Sequence, residues 1–156
     1  MDKLKATLPH PDELNLFSTQ RTLPIALLRA REAVMERFRP LLGAHNVTEQ
    51  QWRVLRVLNE VEKLDATQLA QRACILAPSL TRMLKTLEAR GLISVSRDAA
   101  DGRRTVIQIS ETGQELIQSI APMTADIYRE IENDVGAPLL QGILDDLEEL
   151  LARMKS

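Results

Sequence analysis

The feature that most limits this chain's fold is a change of period. Along most of its length apolar residues recur three and four apart, but LISVSR (92–97) and TVIQIS (105–110) are short runs with β-branched residues on either side of DAADGRR. Asp101-Gly102 within that connection suits a tight turn, so the two runs read as a hairpin. The chain is therefore expected to be mainly α, with one small β-hairpin set between helices.

The first helix is expected from Thr19 to Leu42. Pro24 fits its first turn, where no intrahelical donor is needed, and Ile25, Leu28, Met35, Phe38 and Leu42 recur at helical spacing until Pro40 and Gly43 close it. Ala26, Leu27, Ala30, Val34 and Leu41 widen the apolar arc beyond one stripe, as in a helix buried on two sides. Thr48, with Gln51 three residues on, is a capping-box pattern for a second helix through Trp52, Leu55 and Leu58 to about Val61. Asp65 or Thr67 caps a short third helix through Leu69, Ala70 and Ala73. After a turn at CILA, Pro78 opens a fourth helix that runs to Arg90 and stops at Gly91. Beyond the hairpin, Ser110 or Thr112 starts a long helix through Leu116, Ile117, Ile120, Ile127 and Ile131, with a kink expected at Pro122, and a last helix spans Ala137 to Met154. The opening MDKLKATLPHPDEL carries two prolines and no sustained periodicity, and reads as an extended arm.

At 156 residues the chain can bury one sizeable core. Its hydrophobic fraction of 44% and charged fraction of 27%, with six Gly and seven Pro, exclude collagen-like, disordered and disulfide-scaffold classes. One cysteine, no apolar signal region and no run of roughly 18 apolar residues lead to the expectation of a cytoplasmic protein with no membrane partner. The net charge of −2 argues at first against nucleic acid, because neutralising phosphates takes positive charge. Divided along the chain it says otherwise: +2 over residues 1–80, +3 over 81–110 and −7 over 111–156.

The basic segment holds the fourth helix and the hairpin. At about 100° per residue, Leu80, Leu84 and Leu87 share one side of that helix. Pro78, Arg82, Lys85 and Ala89 fall opposite, with Ser79 and Thr81 on the flanks near its N-terminus. Such an end offers donors for base edges and phosphates without bulk, which suits a major-groove reader; an ordinary solvated face is the plain alternative. Arg97, Arg103 and Arg104 then bracket a Gly-containing loop, and a narrow groove attracts inserted arginine. Asp101, two residues before Arg103, is placed to hold that guanidinium. A basic helix face followed within 30 residues by a basic hairpin, in an acidic chain, favours DNA over mere solvation.

The order helix, helix, turn, helix, hairpin is that of a winged helix-turn-helix. Asp101-Gly102-Arg103-Arg104-Thr105-Val106-Ile107-Gln108-Ile109-Ser110-Glu111-Thr112-Gly113 resembles the wing signature of the MarR family of bacterial regulators, with Ile109-Ser110 standing for the commoner Leu-Thr. Ser79-Leu80-Thr81-Arg82 and Leu87-Glu88-Ala89-Arg90-Gly91-Leu92-Ile93 resemble that family's recognition helix and its exit. The likeness covers residues 19 to 154. The segments from Arg21 to Met35 and from Thr48 to Leu55 are similar to the branch that governs aromatic-acid degradation. The resemblance implies a single winged helix-turn-helix domain over 1–156, an intertwined homodimer in which 1–42 and 111–156 form the dimerisation region and 48–110 the DNA-binding lobe. It implies a repressor of a pseudo-palindromic operator with half-sites about 10 bp apart, released by an aromatic carboxylate effector, with no cofactor.

A carboxylate effector needs a cation. Arg21 and Arg29 flank one apolar edge of the first helix with Ile25 and Leu28, either paired with Glu32 or Glu36 or open to a ligand. Trp52 is a candidate aromatic wall, against a role in the core; His10 and His45 could donate to a phenol hydroxyl, but as lone histidines in an arm and a loop they read as solvated. Two histidines 35 residues apart, one cysteine and no Gly-rich phosphate loop leave no catalytic or metal spacing. Cys74, between Ala73 and Ile75, reads as a buried, inert small hydrophobe rather than a redox sensor, and Asp145, Asp146, Glu148 and Glu149 as a solvated helix face. The rival to the regulator is a helical interaction protein, which would lack salt-dependent DNA binding.

Overall fold

The computed structural model describes residues 19–155, so the opening arm and His10 lie outside the described residues. The chain divides into two compact units, Met1–Arg37 and Phe38–Ser156. In the first, a 3-10 turn at Thr19–Arg21 leads into α1, Leu23–Ala44, whose last turns belong to the second unit. Leu23, Leu27, Leu28 and Val34 are exposed along it, and only Phe38 and Leu42 are buried. The expectation of burial on two sides is therefore not met within one copy. Pro40 does not close the helix either: α1 continues to Ala44. Proline removes a single donor, and Leu42, fully buried beyond it, anchors the final turn. His45 is half-buried, its Nδ1 2.9 Å from the Leu41 carbonyl at the end of the helix.

The second unit continues with α2 (Glu49–Glu60), β1 (Leu64–Asp65), α3 (Ala66–Ala73), α4 (Ala77–Ala89), β2 (Ile93–Arg97), β3 (Thr105–Ile109), α5 (Glu111–Val135) and α6 (Ala137–Met154). Its local rules are plain. Thr48 and Gln51 form the expected reciprocal capping box on α2, and Asp65, not Thr67, caps α3 with Gln68. The hairpin pairs Ile93 with Ile109, Val95 with Ile107 and Arg97 with Thr105. The sequence pattern did not reveal β1, whose Leu64 and Asp65 pair with Ile107 and Val106 to make a three-stranded antiparallel sheet in the order β1-β3-β2. Two residues are too few for a period of two to be legible.

Val54, Leu55, Leu58, Leu69, Leu80, Leu87 and Ile107 make one core beneath this sheet, with Ile117 of α5 reaching into it. The three leucines assigned to the inner side of α4 are all buried. α5 runs unbroken through the exposed Pro122, with Ile117, Ile120 and Thr124 buried to either side; continuous packing outweighs one missing bond. Phe38 meets Tyr128 of α5 with ring centroids 4.9 Å apart. α6 has no buried residue, and Leu139, Ile143, Leu144 and Leu151 are exposed on it. No helix among the described residues is long and apolar enough to cross a membrane.

Candidate nucleic-acid interface

α3 and α4 are joined by Cys74-Ile75-Leu76. Cys74 closes α3 in the left-handed conformation, φ 52°, its N–H donating to the Ala70 and Gln71 carbonyls, and this reversal sends the chain into α4 at a new angle. Ile75 turns inward to the core while Cys74 is exposed, which corrects the expectation of a buried thiol. The exposed side of α4 carries Pro78, Thr81, Arg82, Lys85 and Ala89, and Ser79 is half-buried. Thr81 Oγ1 donates to the Ala77 carbonyl at 3.0 Å, so its hydrogen is spent within the helix rather than held for a base. The side chains of Arg82 and Lys85 make no hydrogen bond or ion pair with any described residue.

The helix is fixed at its exit. Arg90 Nη1 donates to the Asn46 carbonyl at 2.7 Å, tying α4 to the turn before α2. The Val95 N–H, facing away from its own ladder partner, donates to Glu88 Oε2 at 3.1 Å and ties α4 to β2. Ser110 Oγ donates to the Gly91 carbonyl at 2.6 Å and accepts from the Gly113 N–H at 3.0 Å, so one hydroxyl joins the end of α4 to the start of α5.

The wing is held from both sides of its loop. Arg97 Nη1 donates to the Gly102 carbonyl at 3.3 Å, and the Asp98 N–H to the Arg104 carbonyl at 2.8 Å. Asp101 does not grip the Arg103 guanidinium as expected; its Oδ1 accepts from the Arg103 backbone N–H at 3.0 Å, an Asx turn that shapes the loop. Arg104 reaches back to Asp65 Oδ2 at 2.6 Å, while Asp65 Oδ1 accepts from the Gln68 N–H at 2.8 Å. One carboxylate thus caps α3 and anchors the wing root. The Gln68 N–H, and then Arg104, hold the Asp65 carboxyl below its ordinary value, and Asp65 in turn raises the Arg104 guanidinium. Of the three wing arginines, only Arg103 is exposed with a guanidinium that meets no described residue. The Asp65–Arg104 pair was not legible beforehand, although Asp65 with Gln68 was a visible capping signal.

The MarR family model matches residues 47–105, from just before α2 to the start of β3. The homoprotocatechuate degradative operon repressor of Escherichia coli is 43% identical over 131 residues, 84% of this chain and 88% of the relative. The chain belongs to the MarR family. Among solved structures, NadR in complex with 4-hydroxyphenylacetate is 38% identical with a TM-score of 0.75, covering 88% of this chain and 97% of the other. The repressor CouR bound to a 23-mer DNA duplex is 25% identical with a TM-score of 0.73, covering 92% and 99%. α3, α4 and the β2–β3 hairpin lie within the stretch matched by the family model and have the order of a winged helix-turn-helix.

The effector candidates fall on both units. Arg21, Leu28 and Arg29 are exposed and Ile25 is half-buried, and Glu32 pairs with Arg31 at 3.3 Å. Neither Arg21 nor Arg29 has a carboxylate partner among the described residues. In the second unit Trp52 is half-buried against the core, with the Arg56 guanidinium 5.9 Å from its ring centroid. Beside it Arg53 Nε is buried without a hydrogen-bond partner. Sequence reasoning passed over both arginines; for Arg56 the four-residue spacing from Trp52 on one helix was the available signal. Asp145, Asp146, Glu148 and Glu149 are exposed on α6, where Asp145 accepts from Gln141 and Glu149 pairs with Arg153.

Proposed function

We propose that this chain is a DNA-binding transcriptional repressor of an aromatic-acid catabolic operon, working in the cytoplasm as a homodimer and released from its operator by an aromatic carboxylate. The observation that carries DNA binding is the pairing, within one unit, of Arg82 and Lys85 on α4 with Arg103 on a braced wing, three side chains without a partner among the described residues. Residues 48–110 form the DNA-binding lobe; Pro78, Ser79, Thr81, Arg82 and Lys85 enter the major groove, and Arg97, Asp101, Arg103 and Arg104 shape and place the wing. Residues 1–42 and 111–156 form the dimerisation region. The uncovered apolar residues of α1 and α6 support this, since a second copy would remove them from water.

The effector class rests on the 43% identity to the homoprotocatechuate operon repressor and on the likeness to NadR with its 4-hydroxyphenylacetate. Arg21, Ile25, Leu28 and Arg29 on α1, and Trp52 on α2, are the candidate contacts, with Arg56 added as a cation beside the indole. Effector acts through differential affinity for the DNA-bound and released states. The test is a DNA-shift titration on the upstream region of the chain's own gene, with and without 4-hydroxyphenylacetate and 3,4-dihydroxyphenylacetate. The expected result is a site-specific complex whose affinity falls steeply with added salt and with one of the two acids. A complex insensitive to both acids would remove the effector reading; no complex at all would leave the helical interaction protein.

A further inference from the structure

The first turn of the recognition helix is not explained by stability. Leu76 is its N-cap and gives no side-chain hydrogen bond to the helix, where Ser, Thr, Asp or Asn would. At 79% exposure Leu76 is also the most exposed large hydrophobic residue among those described, while its neighbour Ile75 is buried in the core. Ala77 and Pro78 are exposed as well, and Pro78 has no N–H to offer. With the Thr81 hydrogen committed to the Ala77 carbonyl and Ser79 half-buried, the exposed side chains at the very tip of α4, those of Leu76, Ala77 and Pro78, are apolar, and the first exposed side-chain donors without a partner among the described residues are Arg82 and Lys85.

An apolar tip bordered by unpaired cations suits a polyanion better than an apolar protein surface, where those cations would be stripped of water without partners. DNA supplies both halves of the match. Its phosphates meet the cations, and the one apolar group on the major-groove floor is the C5-methyl of thymine. We propose that Leu76, with Ala77 and Pro78, is a specificity-determining contact that reads thymine methyl groups in each half-site. This rests on the DNA-binding reading above and adds to it a base identity.

The experiment uses the full chain. A preferred duplex is selected from a random-sequence pool, each thymine in it is replaced singly by deoxyuridine, and affinity is measured by fluorescence anisotropy at fixed salt for the wild type and for Leu76→Ala. Deoxyuridine keeps every hydrogen-bonding group and deletes only the methyl. At one or two thymines per half-site the wild type should lose about fourfold in affinity, as for one methyl-sized group left unburied. Leu76→Ala should lose a similar factor on the thymine duplex and be indifferent to uracil at those positions. Equal uracil penalties in both proteins, or none in the wild type, would overturn the proposal while leaving DNA binding intact; the wild-type arm decides this even if the variant folds poorly. Failure to select any sequence would overturn both readings.

Discussion

Gly113→Ala is the substitution whose sign the tertiary structure reverses. Gly113 is the third residue of α5, and in an open helix replacing glycine by alanine stabilises by up to about 1 kcal/mol. Here a Cβ would overlap the Leu92 carbonyl oxygen, stand 2.7 Å from Ile109 Cγ1 and lie 3.2 Å from the Leu92 carbonyl carbon. The main obstacle is backbone and has no rotamer to escape into. That backbone is also tied down, because the Leu92 carbonyl accepts from the Ser110 N–H at 3.0 Å while Ser110 Oγ bonds both the Gly91 carbonyl and the Gly113 N–H. Relief requires moving the α4 exit away from α5, at about 1–3 kcal/mol for overpacking plus about 1 kcal/mol for each hydrogen bond loosened. Even after the helix-propensity gain, the variant should be destabilised by about 2–4 kcal/mol. That corresponds to a fall in Tm of roughly 4–15 °C for a chain of this size. The assay is urea and thermal unfolding followed by circular dichroism at one fixed protein concentration, since self-association shifts apparent stability. Because Leu92 leads directly into β2, operator affinity should fall with it. A variant as stable as the wild type, or more stable, would refute the close approach and the reasoning built on it.

Arg103→Ala should weaken operator binding and lower the slope of log affinity against log salt by about 1, with unchanged melting; an unchanged slope would remove Arg103 from the phosphate contacts. Arg82→Ala should relax base preference at one position, by about 1–3 kcal/mol if the contact is bidentate, as read by competition between variant duplexes. Because the Asp65 carboxyl is held below its ordinary value, its contribution is complete above the unfolded value near 3.9 and is lost as pH falls through the lower folded one. The Tm difference between wild type and Arg104→Met should therefore stay level from about pH 5 to 8 and shrink only below about pH 4; a difference vanishing near neutrality would show that the pair is not what Arg104 contributes. Arg29→Ala and Arg21→Ala should leave DNA binding intact and reduce the response to aromatic acid, as should Trp52→Ala. Full response in all three, measured by the same shift titration, would exclude these candidates.

Much of the fold was legible because helices and caps are written within four residues. Thr48 and Gln51, the buried spacing of Leu80, Leu84 and Leu87, and the β-branched runs of the hairpin all act locally, and each appears where the pattern placed it. The misreadings share another cause. Pro40 is a local breaker overridden by packing on either side, and Cys74 sits among apolar neighbours in the chain yet faces out because the left-handed turn sends Ile75 inward instead. Asp101 was paired with the right residue but the wrong group, since an Asx turn is closer at hand than a long guanidinium.

By itself, then, the sequence determined the order of the helices and the hairpin, the inner side of α4 and the segregation of charge that points to DNA. Only the tertiary structure decided how the basic groups are used. Arg104 and Asp65 are 39 residues apart, and they meet because β1 pairs with β3 and brings the cap of α3 to the wing root. That meeting commits one arginine to architecture and leaves Arg103 exposed. Chain folding, by choosing which distant groups touch, chose which charges remain free to act.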